Sequence, residues 1–128
     1  MERKIIATAA FFGMTAIMLD AFGAHKLKDL LEPEMLAAFK TGARYQMYHA
    51  FFLLFVALYP SIPDRARKSM YWLTVSGVTL FSGSIYILST RSLSGVDFSG
   101  IGWVTPAGGI LLIAAWLVLF VNFVRKKS

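Results

Sequence analysis

Residues 101–124, IGWVTPAGGILLIAAWLVLFVNFV, contain no charged side chain. A helix needs about 20 mostly apolar residues to cross about 30 Å of hydrocarbon, because each residue adds about 1.5 Å and no backbone group can be left unpaired there. Residues 101–124 therefore predict a transmembrane helix. Three further windows lack Lys and Arg in the same way, at residues 5–24, 45–62 and 69–90. The sequence predicts an all-α integral membrane protein, an antiparallel four-helix transmembrane bundle in a single domain, 1–128.

The composition also indicates a lipid environment. Of the 128 residues 57% are hydrophobic, which is more than a water-soluble domain normally carries. The formal net charge of +6 lies in short clusters between the apolar windows, which argues against nucleic acid and favours anionic lipid headgroups as partners. The absence of cysteine excludes disulfides, a thiolate nucleophile and Cys-based metal sites.

The basic residues between the windows predict an orientation. If the helices alternate, Lys and Arg number eight on one side and five on the other. The first side carries Arg3, Lys4, Arg65, Arg67, Lys68, Arg125, Lys126 and Lys127, and the second carries Lys26, Lys28, Lys40, Arg44 and Arg91. Because cytoplasmic loops are enriched in Lys and Arg, both termini are expected in the cytoplasm. As an alternative, Glu2-Arg3-Lys4 before residues 5–24 could begin a cleaved signal peptide.

The connection at residues 26–42 has a pattern of its own. Its apolar residues recur at helical spacing, at Leu27, Leu30, Leu31, Met35, Leu36 and Phe39. Pro33 suits a first helical turn and Gly42 suits the end of a helix. We predict a short amphipathic helix between helices 1 and 2, either lying on the membrane surface or folded back onto the bundle.

Polar residues of all four windows fall in one half of the bilayer if the helices alternate. They are His25, Arg44, Tyr45, Gln46, Tyr48, His49, Ser82, Ser84 and Thr105. Polar groups are costly in lipid, so this clustering is informative. Two interpretations remain open at this point: hydrogen bonds that hold the helices together, or a pocket for a small ion, a lipid headgroup or a quinone-like molecule.

Other residues in the spans allow more specific hypotheses. Asp20 can form an ion pair with Arg44, or it can serve as a proton or cation site. His25 and His49 suggest a haem or metal ligand, but there is no third His and no Cys, so we expect no metal and no cofactor. The small residues Gly83, Gly108 and Gly109 predict close helix packing; alternatively they expose backbone carbonyls to a substrate path.

No catalytic motif is present. The chain has no Gly-x-Ser-x-Gly, no His-Glu-x-x-His and no phosphate-binding glycine loop. We therefore expect a non-enzymatic membrane component that acts on the bilayer or within a membrane complex, with a homo-oligomer as one arrangement. The alternatives are a binding or transport protein and, third, a haem or redox protein.

Four ordered segments resemble a known family. They are residues 21–27 (AFGAHKL), 41–50 (TGARYQMYHA), 81–86 (FSGSIY) and 105–109 (TPAGG), and they are similar to domain-of-unknown-function family 423, whose animal members are called transmembrane protein 256. The resemblance implies a four-helix, multi-pass protein of the bacterial plasma membrane and implies no activity. The family usually has a small residue where this chain has Asp20, so a role for Asp20 would be particular to this chain.

Overall fold

The computed structural model describes residues 1–95 and 99–125, and all regular structure within them is helical. The elements are α1 (Glu2–His25), a 3-10 turn (Leu27–Asp29), α2 (Pro33–Leu58), α3 (Asp64–Ser89), the short α4 (Arg91–Ser94), a 3-10 turn (Ser99–Ile101) and α5 (Val104–Val124). Three of them, α1, α3 and α5, are long and apolar enough to cross a membrane. The all-α prediction is confirmed. The helix predicted as the second span, α2, is not among the three, since Arg44, Gln46 and His49 lower its mean hydropathy.

The connection between α1 and α2 differs from the prediction. Residues 33–42 are not a separate amphipathic helix but the first turns of α2, which continues without a break from Pro33 to Leu58. Pro33 starts the helix as expected. Gly42 does not end it, because its role is in packing: a Cβ at Gly42 would lie 2.9 Å from Cε1 of Tyr86 in α3.

The turn between α2 and α3 also differs from the predicted boundaries. α2 ends at Leu58, before the expected residue 62, and α3 begins at Asp64, before the expected residue 69. Pro63 is extended, with φ −63° and ψ 148°, and Asp64 follows in the first turn, where a carboxylate is favoured by the helix dipole. The basic cluster at residues 65–68 therefore lies in the first turns of α3 rather than in a loop.

Three helix pairs pack closely: α1 with α2, α2 with α3, and α3 with α5. In each pair, residues near the N-terminus of one helix contact residues near the C-terminus of the other, so the paired helices are antiparallel. In the first pair, Gly13 lies near Ala50 while Gly23 lies near Phe39. By contrast, α1 and α5 do not form a closely packed pair.

Two apolar clusters fill the space between the helices. The larger lies near the N-terminus of α1 and contains Ile5, Ala9, Phe52, Leu53, Val56, Ala57, Ile62, Met70, Tyr71 and Ala115. The smaller lies at the opposite end, where Leu27, Leu31 and Phe39 are buried. Leu27 and Leu31 come from the connection between α1 and α2, so this segment folds back against the helices. The polar residues described next lie between the two clusters.

Candidate functional site

Gln46 is buried in α2 and hydrogen-bonds to both neighbouring helices. Its Nε2 donates to the backbone oxygen of Phe12 at 2.9 Å and to Oγ1 of Thr15 at 2.6 Å, both in α1. Its Oε1 accepts a bond from the hydroxyl of Tyr86 in α3 at 2.7 Å. Both donors of the amide and one lone pair of its oxygen are therefore engaged between three helices.

Two serines of α3 also form hydrogen bonds to neighbouring helices, one to α2 and one to α5. Ser82 is buried and donates to the backbone oxygen of Gly42 in α2 at 2.7 Å. Ser84 donates to the oxygen of Phe81 in its own helix at 3.1 Å and also bonds the hydroxyl of Thr105 in α5. Ser84 and Thr105, far apart in the sequence, thus lie at the same level of the molecule.

His49 has a partner at each ring nitrogen. Nε1 of Trp116 in α5 donates to Nε2 of His49 at 3.0 Å, so Nε2 carries no proton. The proton of the neutral ring therefore lies on Nδ1, which donates to the backbone oxygen of Tyr45 at 2.7 Å. The buried ring packs against Phe52 and Trp116, each at 6.0 Å between centroids. With both nitrogens engaged, His49 offers no lone pair to a metal or haem iron.

The remaining members of the predicted cluster lie elsewhere. Arg44, Tyr45 and Tyr48 are on the exposed side of α2, where the two tyrosine rings pack at 5.3 Å. His25 is exposed at the end of α1, and no hydrogen bond or ring contact joins it to His49. The nine residues therefore separate into an inward polar set, Gln46, His49, Ser82, Ser84 and Thr105, and an exposed group of four.

Asp20 and Arg44 line one cavity of about 450 Å³ but do not form an ion pair. The salt bridge that the described residues contain joins Arg67 to Asp64 at 2.9 Å. Both Asp20 and Arg44 are exposed, and exposed ion pairs stabilise a protein by at most about 1 kcal/mol. The ion pair between Asp20 and Arg44 that was expected from the sequence is therefore not formed, and it would contribute little to stability.

The glycines differ in what surrounds them. A Cβ at Gly108 would lie 2.4 Å from the backbone nitrogen of Phe81, and one at Gly77 would lie 2.6 Å from Cδ2 of Leu112. These two glycines let α3 and α5 approach closely. At Gly109 the nearest atom would be at 3.6 Å, an ordinary contact, and at Gly83 nothing lies within 4 Å. The predicted close packing is thus found at Gly108 but not at Gly83 or Gly109. Gly77, which the sequence analysis did not single out, also allows close packing.

Arg67 is a buried cation that the sequence did not single out. Its Nε donates to the backbone oxygen of Val56 at 2.9 Å and its Nη2 donates to that of Tyr59 at 2.8 Å. These carbonyls belong to the end of α2, where helical partners are missing. Arg67 was counted with Arg65 as an orientation signal, and only its spacing from Asp64 distinguished it. Lys126 and Lys127, also counted there, lie outside the described residues.

Three other hydrogen-bonding residues were absent from the predicted site. Trp116 could have been found, because an indole N–H in the middle of a span needs an acceptor. Tyr86 was visible as a polar residue in the third window. Thr15 could not be identified from the sequence, because a threonine in a membrane helix commonly bonds a carbonyl of its own helix and needs no other partner. Its hydroxyl does donate to the oxygen of Phe11 at 2.8 Å.

An apolar cavity of about 470 Å³ lies beside His49. Its lining consists mostly of aromatic and aliphatic side chains, including Phe81, Leu112 and Trp116. Within residues 1–95 and 99–125, no three His, Cys, Asp or Glu side chains are grouped so that they could hold a metal ion.

Comparison with known proteins places the chain among membrane proteins. A family model described as "Protein of unknown function (DUF423)" matches residues 19–109. The chain belongs to this family. The match includes α2, α3 and all inward polar residues, so the resemblance noted from the four short segments is confirmed.

The curated relatives are full-length matches. A UPF0382 membrane protein of Haemophilus influenzae is 38% identical, covering 100% of this chain and 99% of the relative. The UPF0382 membrane protein YwdK of Bacillus subtilis is 35% identical over 96% of this chain and 98% of its own length. The UPF0382 inner membrane protein YgdD of Escherichia coli is 33% identical over 98% and 93%. No solved structure matches the chain. This DUF423 chain is thus a helical membrane protein.

Proposed function

We propose that this protein is a non-enzymatic component of the plasma membrane, and that its inward polar set holds four spanning helices together. The chain forms one antiparallel transmembrane bundle of α1, α2, α3 and α5, with both termini in the cytoplasm. It acts through its outer helix faces and its basic flanks on the bilayer or on a larger membrane complex.

The observation that carries this proposal is the set of bonds made by Gln46. Its amide forms hydrogen bonds to Phe12 and Thr15 of α1 and to Tyr86 of α3. A pocket residue would direct its donors to its ligand, whereas both donors of this amide and one lone pair of its oxygen are used between helices. The bonds of Ser82 and Ser84 to the neighbours of α3 follow the same pattern.

The exposed side of α2 supports its assignment as a span. The helix has 26 residues and is therefore about 39 Å long, more than the roughly 30 Å of hydrocarbon. Its polar Gln46 and His49 face inward, while Phe51, Phe55 and Leu58 are exposed by 64%, 44% and 64%. In a membrane these apolar side chains would meet lipid, so the low mean hydropathy of α2 reflects its interior contacts.

The exposed face of α5 supports action through the bilayer or a partner helix. Its exposed apolar residues recur at intervals of three and four, at Ile110, Ile113, Leu117, Phe120 and Val124. Such a stripe contacts lipid chains or a helix of a neighbouring subunit, including a second copy of this chain. At the ends of the helices, Arg65 and Lys68 are exposed and can meet anionic headgroups at the cytoplasmic surface.

The alternatives have less support from the same contacts. Binding or transport of a small ion, lipid headgroup or quinone-like molecule in the inward polar set would require polar atoms free to meet it. Gln46, His49 and Ser82 are already bonded to other parts of the protein. A haem protein would need an imidazole nitrogen for the iron, and both nitrogens of His49 have partners.

The test is replacement of Gln46 by Leu, with Tyr48→Phe as the matched control. Interhelical hydrogen bonds in membranes contribute about 0.6 kcal/mol each, so Gln46→Leu should lower the free energy of unfolding by about 2 kcal/mol for its three bonds. Tyr48 is half exposed, and its hydroxyl has no hydrogen-bond partner among residues 1–95 and 99–125, so the control should change little.

Two readouts separate the proposal from the ligand alternative. Loss of helical circular dichroism during titration with sodium dodecyl sulfate measures stability, and native mass spectrometry detects any small molecule that copurifies. We expect Gln46→Leu to unfold earlier with an unchanged set of bound species. A variant of unchanged stability that loses a bound molecule would instead assign Gln46 to a ligand site.

A further inference from the structure

A cavity of about 450 Å³ between α1 and α2 contains three charged side chains that the inward polar set does not use. They are Asp20 of α1 and Lys40 and Arg44 of α2. No ion pair or hydrogen bond joins any of the three to another described residue. Two cations and one carboxylate thus face one cavity without bonding to one another across it.

The cavity is polar at one end and apolar at the other. On α1, Ala16 and Ile17 lie about one turn from Asp20, and on α2, Met47 lies about one turn from Arg44. The two helices contact each other in opposite chain directions, since Gly13 lies near Ala50 and Gly23 near Phe39. The apolar residues of both helices therefore lie on the same side of the charges, toward the middle of the molecule.

The charged end lies near the edge of the hydrocarbon. α1 has 24 residues and is about 36 Å long, so both of its ends reach beyond a core of about 30 Å. Asp20 lies about 10 Å from the midpoint of the helix along its axis. Long Lys and Arg side chains at this depth extend their charged groups outward, so the charged groups of Lys40 and Arg44 can extend toward the lipid headgroups.

We propose that this cavity binds one phospholipid with an amine-bearing headgroup, namely phosphatidylethanolamine. Arg44 and Lys40 contact the phosphate, because guanidinium and ammonium groups form charge-assisted hydrogen bonds with phosphate oxygens. Asp20 contacts the ammonium group of the headgroup. An acyl chain follows Ile17 and Met47 toward the centre of the bilayer.

Asp20 determines the choice of headgroup. Phosphatidylglycerol would bring its phosphate to the same two cations but would leave the Asp20 carboxylate beside it without a cationic partner. An exposed ion pair contributes up to about 1 kcal/mol, which corresponds to about a fivefold difference in affinity. None of the three charged residues belongs to the inward polar set, so a failure here would leave the proposed function untouched.

The experiment measures binding of two lipids with identical acyl chains to the purified full-length protein in detergent by native mass spectrometry. We expect phosphatidylethanolamine to bind about fivefold more tightly than phosphatidylglycerol. Asp20→Asn should remove this preference, and Arg44→Gln should weaken the binding of both lipids. The control is Lys28→Gln, which removes an exposed cation outside the cavity and should change neither affinity.

Three results would overturn the proposal. The first is wild-type protein that binds phosphatidylglycerol as tightly as, or more tightly than, phosphatidylethanolamine. The second is an equal effect of Lys28→Gln and Arg44→Gln, which would indicate attraction by net charge alone. The third is displacement of the lipid by phosphoethanolamine at the same concentration, because the apolar end of the cavity would then contribute nothing. Circular dichroism of each variant verifies that it is folded.

Discussion

Replacement of Gly108 by Ala should destabilise the protein, whereas replacement of Gly83 should not. A Cβ at Gly108 would lie 2.4 Å from the Phe81 nitrogen and 2.9 Å from the Leu80 carbonyl carbon. Both are backbone atoms, which no change of rotamer can move. To reach 3.0 Å the first contact must open by about 0.6 Å, which separates α3 from α5, and overpacking of this kind typically costs about 1–3 kcal/mol.

Gly83 is the matched control because nothing lies within 4 Å of its Cβ position. In either helix, Gly→Ala should gain up to about 1 kcal/mol from helix propensity. This gain cancels when the two variants are compared, so Gly108→Ala should be less stable than Gly83→Ala by the overpacking cost of about 1–3 kcal/mol. The assay is the loss of helical circular dichroism during titration with sodium dodecyl sulfate. Equal stability of the two variants would refute the close approach of α3 and α5 at Gly108.

Two further predictions concern buried polar groups of α3. Arg67→Lys should lower the free energy of unfolding by about 2 kcal/mol, because one ammonium group cannot replace the separate bonds of the guanidinium to the end of α2. The control is the exposed Arg65→Lys, which should be neutral in the same titration. Equal effects of the two substitutions would show that the bonds of Arg67 to the end of α2 do not stabilise the protein. Thr74→Val should raise the unfolding free energy by about 1 kcal/mol, because the Thr74 hydroxyl is buried without a hydrogen-bond partner and a methyl group of similar shape removes that cost; a loss of stability would show that the hydroxyl is bonded.

The helices were predictable because their apolar windows have a simple physical origin. Residues 101–124 and α5 (Val104–Val124) nearly coincide, since length and apolar composition alone define such a segment. The ends of α2 were not predictable in the same way. Gly42 resembles a helix end in sequence, and only the position of Tyr86 explains why the helix continues through it.

The polar residues were predictable as a group but not as partners. Alternation of the helices brought Ser84 and Thr105 to one level, and they do share a hydrogen bond. Tyr45 and His49 are four residues apart and are therefore neighbours on the helix surface, yet Tyr45 is exposed by 38% while His49 is buried. A rotation of α2 by a fraction of a turn decides which of them faces inward, and that rotation depends on packing against α1 and α3.

The burial of Arg67 also depends on packing and was not predictable from the sequence. Its sequence neighbours Arg65 and Lys68 are exposed, and a basic residue near the end of a span ordinarily is. Burial of Arg67 depends on the path of the chain after Leu58, which leaves the carbonyls of Val56 and Tyr59 within its reach. That path is a property of the α2–α3 turn and cannot be read from local composition.

The most direct test of the four-span arrangement is the sidedness of the two ends of α2. The chain has no cysteine, so single substitutions at the exposed residues Lys28, Ser61 and Ser92 provide unique sites for a membrane-impermeant maleimide. In spheroplasts, Lys28→Cys and Ser92→Cys should be labelled directly, and Ser61→Cys should be labelled only after the membrane is opened. Labelling of Lys28→Cys and Ser61→Cys from the same side would contradict the account, because α2 would then not cross the bilayer.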